Sequence, residues 1–178
     1  MASTRKRDRI FAGFGAFLFL ATACGLTIFV ILQSTNTSNT NPTAQKTCVA
    51  PQNQVSLPVP QIYTTPAPVS SLEITDIEQG SGNSAKNGDC LIMKYYGTVA
   101  TTGKKFDENF TDTSAFAFRL GQGQVITGWD KGLVGMKVGG VRRLVIPSAQ
   151  AYGANPPSAD IPINADLVFE VKLIKIQT

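Results

Sequence analysis

The chain has 178 residues, 43% of them hydrophobic, and a formal charge of +4 with no histidine. Lacking histidine, it has no Ser-His or Cys-His nucleophilic pair and no histidine-bearing zinc site; the dispersed Cys24, Cys48 and Cys90 offer no thiolate cluster. The excess positive charge sits in Arg5, Lys6, Arg7, Arg9 and Lys46, whereas eleven basic and eleven acidic residues balance from Ser71 onward, which argues against a phosphate-neutralising face and a nucleic-acid partner.

In chain order, residues 1–9 read as a basic tail. Ile10–Leu32 follows without a charge. As a helix it would be about 34 Å long, enough to cross a hydrocarbon core of about 30 Å. A cleaved signal peptide has a shorter apolar region, and a lipoprotein site at Cys24 would need a branched residue where Ala21 stands. The expectation is an uncleaved transmembrane anchor. The basic tail would be cytoplasmic and the rest extracytoplasmic, a single-pass protein of the cell membrane.

Residues 33–70 hold six of the ten prolines and one charge, Lys46. They read as a flexible, then semi-extended, linker that cannot fold alone. Asn36 and Asn109 each begin an Asn-x-Ser/Thr sequence that would be a glycosylation acceptor in a eukaryotic secretory route.

From Ser71 to Thr178 short strands alternate with turn signals. Strands are expected over Leu72–Glu78, Cys90–Ala100, Phe116–Leu120, Val141–Pro147 and Leu167–Ile176. In the last, Leu167, Phe169, Val171 and Leu173 share one face and should be buried. One segment has helical spacing: Ile126, Trp129, Leu133 and Met136, with Thr127 as cap, Asp130 in the first turn, and Gly139 and Gly140 as stop. The fold class is therefore α+β, a curved antiparallel sheet of about five strands around one short helix, preceded by the anchor and the linker.

Around the helix start gather Tyr95, Phe106, Phe116, Val125, Ile126, Trp129, Tyr152, Ile161 and Phe169. Plain core accounts for most of them taken singly, as it does for Phe118, Leu133 and Val171. Phe106 and Tyr152 lie instead in loop-like sequence, where side chains line depressions.

The ordered series "YYGTV", "GKKFD", "GQGQVITGWDKGLVGMKVGG", "RRLVIP", "AYG" and "LVFEVKLIKI" resembles the FKBP-type peptidyl-prolyl cis-trans isomerases from about Leu72 to Ile176. The resemblance implies a Trp129 floor ringed by Tyr95, Phe106, Asp107, Phe116, Val125, Ile126, Tyr152, Ile161 and Phe169. It also implies the Tyr152 hydroxyl and Ile126 amide as donors to substrate, with Asp107 hydrogen-bonded to the Tyr95 hydroxyl. The implied activity is rotation of X-Pro bonds without cofactor or metal. The implied partners are proline-containing peptides, unfolded exported proteins and macrolides of the rapamycin kind, and the chain is expected to be a monomer. The other reading is a binding or chaperone module that keeps the pocket with little activity.

Two departures stand out. Asp112 lies near the position where the family often has an arginine, and Asp160 precedes Ile161 where an apolar residue is usual. Both make the expected rim more acidic. If the C-terminal part is extracytoplasmic, Cys48 and Cys90 are expected to pair, tying the linker to the first long strand; two free thiols are the alternative.

Overall fold

The computed structural model describes residues 47–66 and 68–177. Its strands are β1 (Glu73–Glu78), β2 (Cys90–Val99), β3 (Lys105–Glu108), β4 (Phe116–Arg119), β5 (Val141–Ile146) and β6 (Leu167–Gln177), with one helix, α1 (Thr127–Gly132), between β4 and β5. A 3-10 turn, Ser148–Gln150, follows β5. The strands form one antiparallel sheet in the order β1-β5-β6-β2-β3, and β4 pairs with the first half of β2.

The sheet therefore has six strands among the described residues rather than about five. The added one is β3, four residues in which only Phe106 is apolar, too short for a period of two to register. The other strands lie within a residue or so of their expected ranges. Leu167, Phe169, Val171 and Leu173 are all buried on the face that meets α1.

The helix is shorter than its apolar spacing suggests. It ends at Gly132; Leu133 and Met136 are buried from the turns that follow, and Gly139 and Gly140 lie farther along. Thr127 is its first residue, not its cap. The cap position is Ile126, with no side-chain hydrogen bond. Asp130 reaches back instead to the amides of Gly121 and Gly123, at 2.8 and 2.9 Å.

Close approach sets the helix on β5. A Cβ at Gly128 would meet Cγ2 of Ile146 at 2.4 Å, so only glycine lets the two backbones lie this near. Arg142, on the same face of β5, donates to the carbonyls of Gly132 and Val134 at the helix end and forks onto both carboxylate oxygens of Asp76 in β1. One nearly buried guanidinium thus ties helix end, β5 and β1 together.

The opposite face of the sheet is covered too. The described part of the proline-rich segment, expected as the semi-extended end of a linker, runs across it as a strap. Val69 packs on Ala100, Val145 and Val168, and its amide donates to Asp166 Oδ2 at 2.8 Å. The Tyr63 ring lies 4.5 Å from the guanidinium carbon of Arg143. The amides of Leu57 and Gln54 donate to the carbonyls of Phe110 and Thr113, each at 2.6 Å. Cys48 is joined to Cys90 at the start of β2, with the sulfurs 2.07 Å apart. The expected anchor and basic tail lie outside the described residues, as does the first part of the linker.

Candidate active site

Beyond the start of α1 lies a cleft of about 400 Å³. It is lined by Tyr95 from β2, Phe106 and Asp107 from β3, Phe116 from β4, Gly123 to Ile126 from the β4–α1 connection, Trp129 from α1, Tyr152 from the turn after β5, and Phe169 from β6. Every residue expected around the pocket is brought there except Ile161. That side chain is 4% exposed and belongs to the same buried cluster as Trp129 and Phe169 without lining the cleft. Gly123 and Gln124 line the cleft without having been singled out in the sequence; the Gln124 side chain accepts the Arg119 amide at 2.8 Å.

Trp129 is both floor and core. Only 4% of it is exposed, and its ring centroid lies 5.2 Å from Phe169, 5.5 Å from Tyr95, 5.8 Å from Phe118 and 6.1 Å from Phe116. Three of these contacts are edge-to-face, the arrangement the ring quadrupoles favour. Gly97 opens the corner where Phe106 and Phe169 meet edge to face at 5.5 Å. A Cβ there would come within 2.8 Å of both rings.

Polar groups are few and placed at the walls. The Tyr95 hydroxyl donates to Asp107 Oδ2 at 2.7 Å, and Glu108 N–H donates to Oδ1 at 2.9 Å. Burial first, then the hydrogen bond and charge of Asp107, push the Tyr95 phenol well above its ordinary pKa. Burial, with Asp107's charge second, also raises Tyr152. Both phenols are therefore proton donors throughout the physiological range. The Ile126 N–H precedes the helix and meets no protein acceptor among the described residues.

The rim is less acidic than the sequence implies. Asp160 is paired with Lys104 at 2.8 Å, and Glu108 lies 3.7 Å from Lys105 while accepting from Thr111. Asp112 does not line the cleft. Asn109 is 6% exposed, with its side-chain oxygen on the Tyr95 amide, so as a folded residue it is no glycan acceptor.

One antiparallel sheet packed on a short helix thus carries an aromatic cleft at the helix start. A family model described as FKBP-type peptidyl-prolyl cis-trans isomerase matches residues 82–174, and the chain belongs to that family, an enzyme class. It is 49% identical over 108 residues to FK506-binding protein 4 of Rhizopus delemar, covering 61% of this chain and 28% of that one. It is 45% identical over 106 residues to the 46 kDa FK506-binding nuclear protein of Spodoptera frugiperda, covering 60% of this chain and 26% of that one. The chain thus spans about a quarter of the length of these relatives. Among solved structures, that of AtFKBP13 matches with a TM-score of 0.55 at 32% identity, covering 63% of this chain and 98% of that one.

These relatives correct the expected localisation. A single-pass position at the cell membrane with the domain outside is not what they point to, since one of them is named as nuclear. Among the described residues no helix is long and apolar enough to cross a membrane.

Proposed function

We propose that the cleft binds a peptide with its proline ring on the Trp129 indole and accelerates rotation about the preceding X-Pro bond. Twisting that bond breaks amide resonance against a barrier of ~18–20 kcal/mol, and the uncatalysed event takes tens to hundreds of seconds. No bond is made or broken, so the groups needed are those that hold a twisted amide better than a planar one. A twisted amide is less polar, and the wall of Tyr95, Phe106, Phe116 and Phe169 gives it a poorly hydrated surround. The unpaired Ile126 N–H and the Tyr152 hydroxyl are the donors for substrate carbonyls, fixing the backbone on either side of the rotating bond. Asp107, held by Tyr95, supplies negative charge beside it.

The observation that carries this reading is the pairing of a buried indole floor with two donors, the Ile126 N–H and the Tyr152 hydroxyl, that have no protein acceptor among the described residues. The full chain should speed cis-to-trans exchange of a Leu-Pro peptide with no added metal, and a macrolide of the rapamycin kind should compete with the peptide. The other reading, a peptide-binding module, has one observation in its favour: no lysine or arginine among the described residues pairs with Asp107. Macrolide binding without any rate enhancement would establish it and displace the isomerase.

A further inference from the structure

The β3–β4 connection carries two walls of the cleft, Asp107 just before it and Phe116 just after it. Residues 109–115 between them form no helix or strand, yet they are pinned from three directions. Asn109 continues the ladder beyond β3: its amide donates to the Tyr95 carbonyl at 3.0 Å, and its side-chain oxygen accepts the Tyr95 amide at 2.7 Å. The strap holds the outer side through the Leu57 and Gln54 amides. The third support is Lys94.

Lys94 is fully buried. Lys94 and Tyr95 are consecutive in β2 and so point to opposite faces of the sheet, Tyr95 into the cleft and Lys94 beneath the connection. The ammonium donates to the Asn109 carbonyl at 3.0 Å and to the Asp112 carbonyl. Burying a cation is costly unless its donors are satisfied. Here two of its three donors meet main-chain carbonyls, groups that mark the path of the chain rather than the position of a mobile side chain. A methionine would fill the same volume and leave both carbonyls without a donor.

We propose that Lys94 is a positioning residue for isomerisation, fixing the 109–112 backbone so that Asp107 stays on the Tyr95 hydroxyl at the cleft wall. This rests on reading the cleft as the isomerase site. Lys94 touches no substrate and acts through Asn109 and Asp112 on Asp107. The alternative is a residue needed only for folding, and the two differ in how Lys94 and Asp107 couple.

The test is a double-mutant cycle in the full chain, with kcat and KM measured separately on a Leu-Pro peptide for wild type, K94M, D107N and the pair. K94M is expected to lower kcat roughly tenfold while KM moves less than about twofold, because a small misplacement acts on the transition state more than on binding. D107N is expected to lower kcat in wild type and to cost little further in K94M, since the second change removes a group already misplaced. K94R, which keeps the donors, is expected to regain part of the lost rate. Additive effects, or a K94M rate equal to wild type, overturn the proposal and leave the isomerase reading standing. A wild type without turnover sinks the isomerase reading and this proposal with it. If neither K94M nor K94R folds by circular dichroism, Lys94 is a folding residue and the proposal fails.

Discussion

The Tyr95 hydroxyl and the Asp107 carboxylate face each other across the β2–β3 pair at 2.7 Å, where Asp107 lies opposite Gly97 and the register shifts by one at the next residue. The consecutive Phe106 and Asp107 both line the cleft beside this irregularity, where a regular strand would send them to opposite faces. Tyr95→Phe removes the donor and keeps the ring contacts with Trp129, Phe116 and Phe169. The expected result is a kcat/KM lower by roughly fivefold, the equivalent of one partly exposed hydrogen bond of ~1 kcal/mol, with the unfolding midpoint nearly unchanged. Peptide kinetics beside a urea titration checks both halves, and an unchanged kcat/KM would remove Tyr95's hydroxyl from the mechanism.

Trp129→Leu should damage folding and binding together. The indole is 4% exposed and in contact with four rings, so its loss opens a cavity beneath the cleft as well as removing the floor. A destabilisation of about 2–4 kcal/mol is expected from large-to-small core replacements. Urea unfolding measures it, while macrolide titration at low temperature, where the variant stays folded, measures the lost affinity. A variant as stable as wild type would show the indole to be floor alone.

Lys104 pairs with Asp160 at 2.8 Å, both side chains exposed and neither among the residues that line the cleft, so a charge effect on substrate has to act from outside it. Lys104→Ala frees the Asp160 carboxylate, and the variant should favour peptides with lysine before proline over those with glutamate more strongly than wild type does. Raising salt should narrow that difference, because exposed charges are screened within ~8–10 Å. Competition between the two peptides at low and high salt is the measurement. Equal selectivity in variant and wild type would show that Asp160 is not felt by the bound peptide.

Glu170 lies on the strap side of β6, 3.4 Å from Arg143. Burial outweighs that partner and raises its pKa above the ordinary 4.5. A carboxyl raised in the folded state stabilises most below its unfolded pKa, and the contribution is lost as pH rises through the folded value. Glu170→Gln should therefore match wild type near pH 4 and gain on it toward neutrality. Thermal unfolding across pH 4–8 reads the crossover; a wild type that gains on the variant as pH rises would mean that Arg143 outweighs burial.

The long strands were legible because β6 alternates at Leu167, Phe169, Val171 and Leu173, while β2 opens on an unbroken apolar run, Cys90 to Met93, and both are bounded by turn residues. The strap was not, since proline and polar residues dominate its composition, while what pins it is a few main-chain amides, Val69, Tyr63 and the link to Cys90. For the same reason the burial of Val168, on the face away from α1, has no signal in the strand itself. The helix was overextended because Met136 is buried at helical spacing although the chain has already turned. In the site, the aromatic ring set follows an ordered series of motifs. Lys94 and Asp130 carry no such mark, because a lysine is ordinarily assigned to solvent and a helix acid to its own first turn, whereas Lys94 holds the 109–112 backbone and Asp130 the Gly121–Gly123 turn ahead of its helix.

The bond between Cys48 and Cys90 also decides how the molecule carries load. β2 is paired with β3, β4 and β6, more neighbours than any other strand has among the described residues. A pull on the chain ahead of residue 48 enters β2 directly through the sulfurs. The strap between Cys48 and Val69 stays pinned but lies off that direct path, so the amides of Gln54 and Leu57 are bypassed. With the bond reduced, the same pull peels Gln54 and Leu57 from the 109–115 connection one contact at a time, so force would reach the wall of the cleft before it reached the sheet.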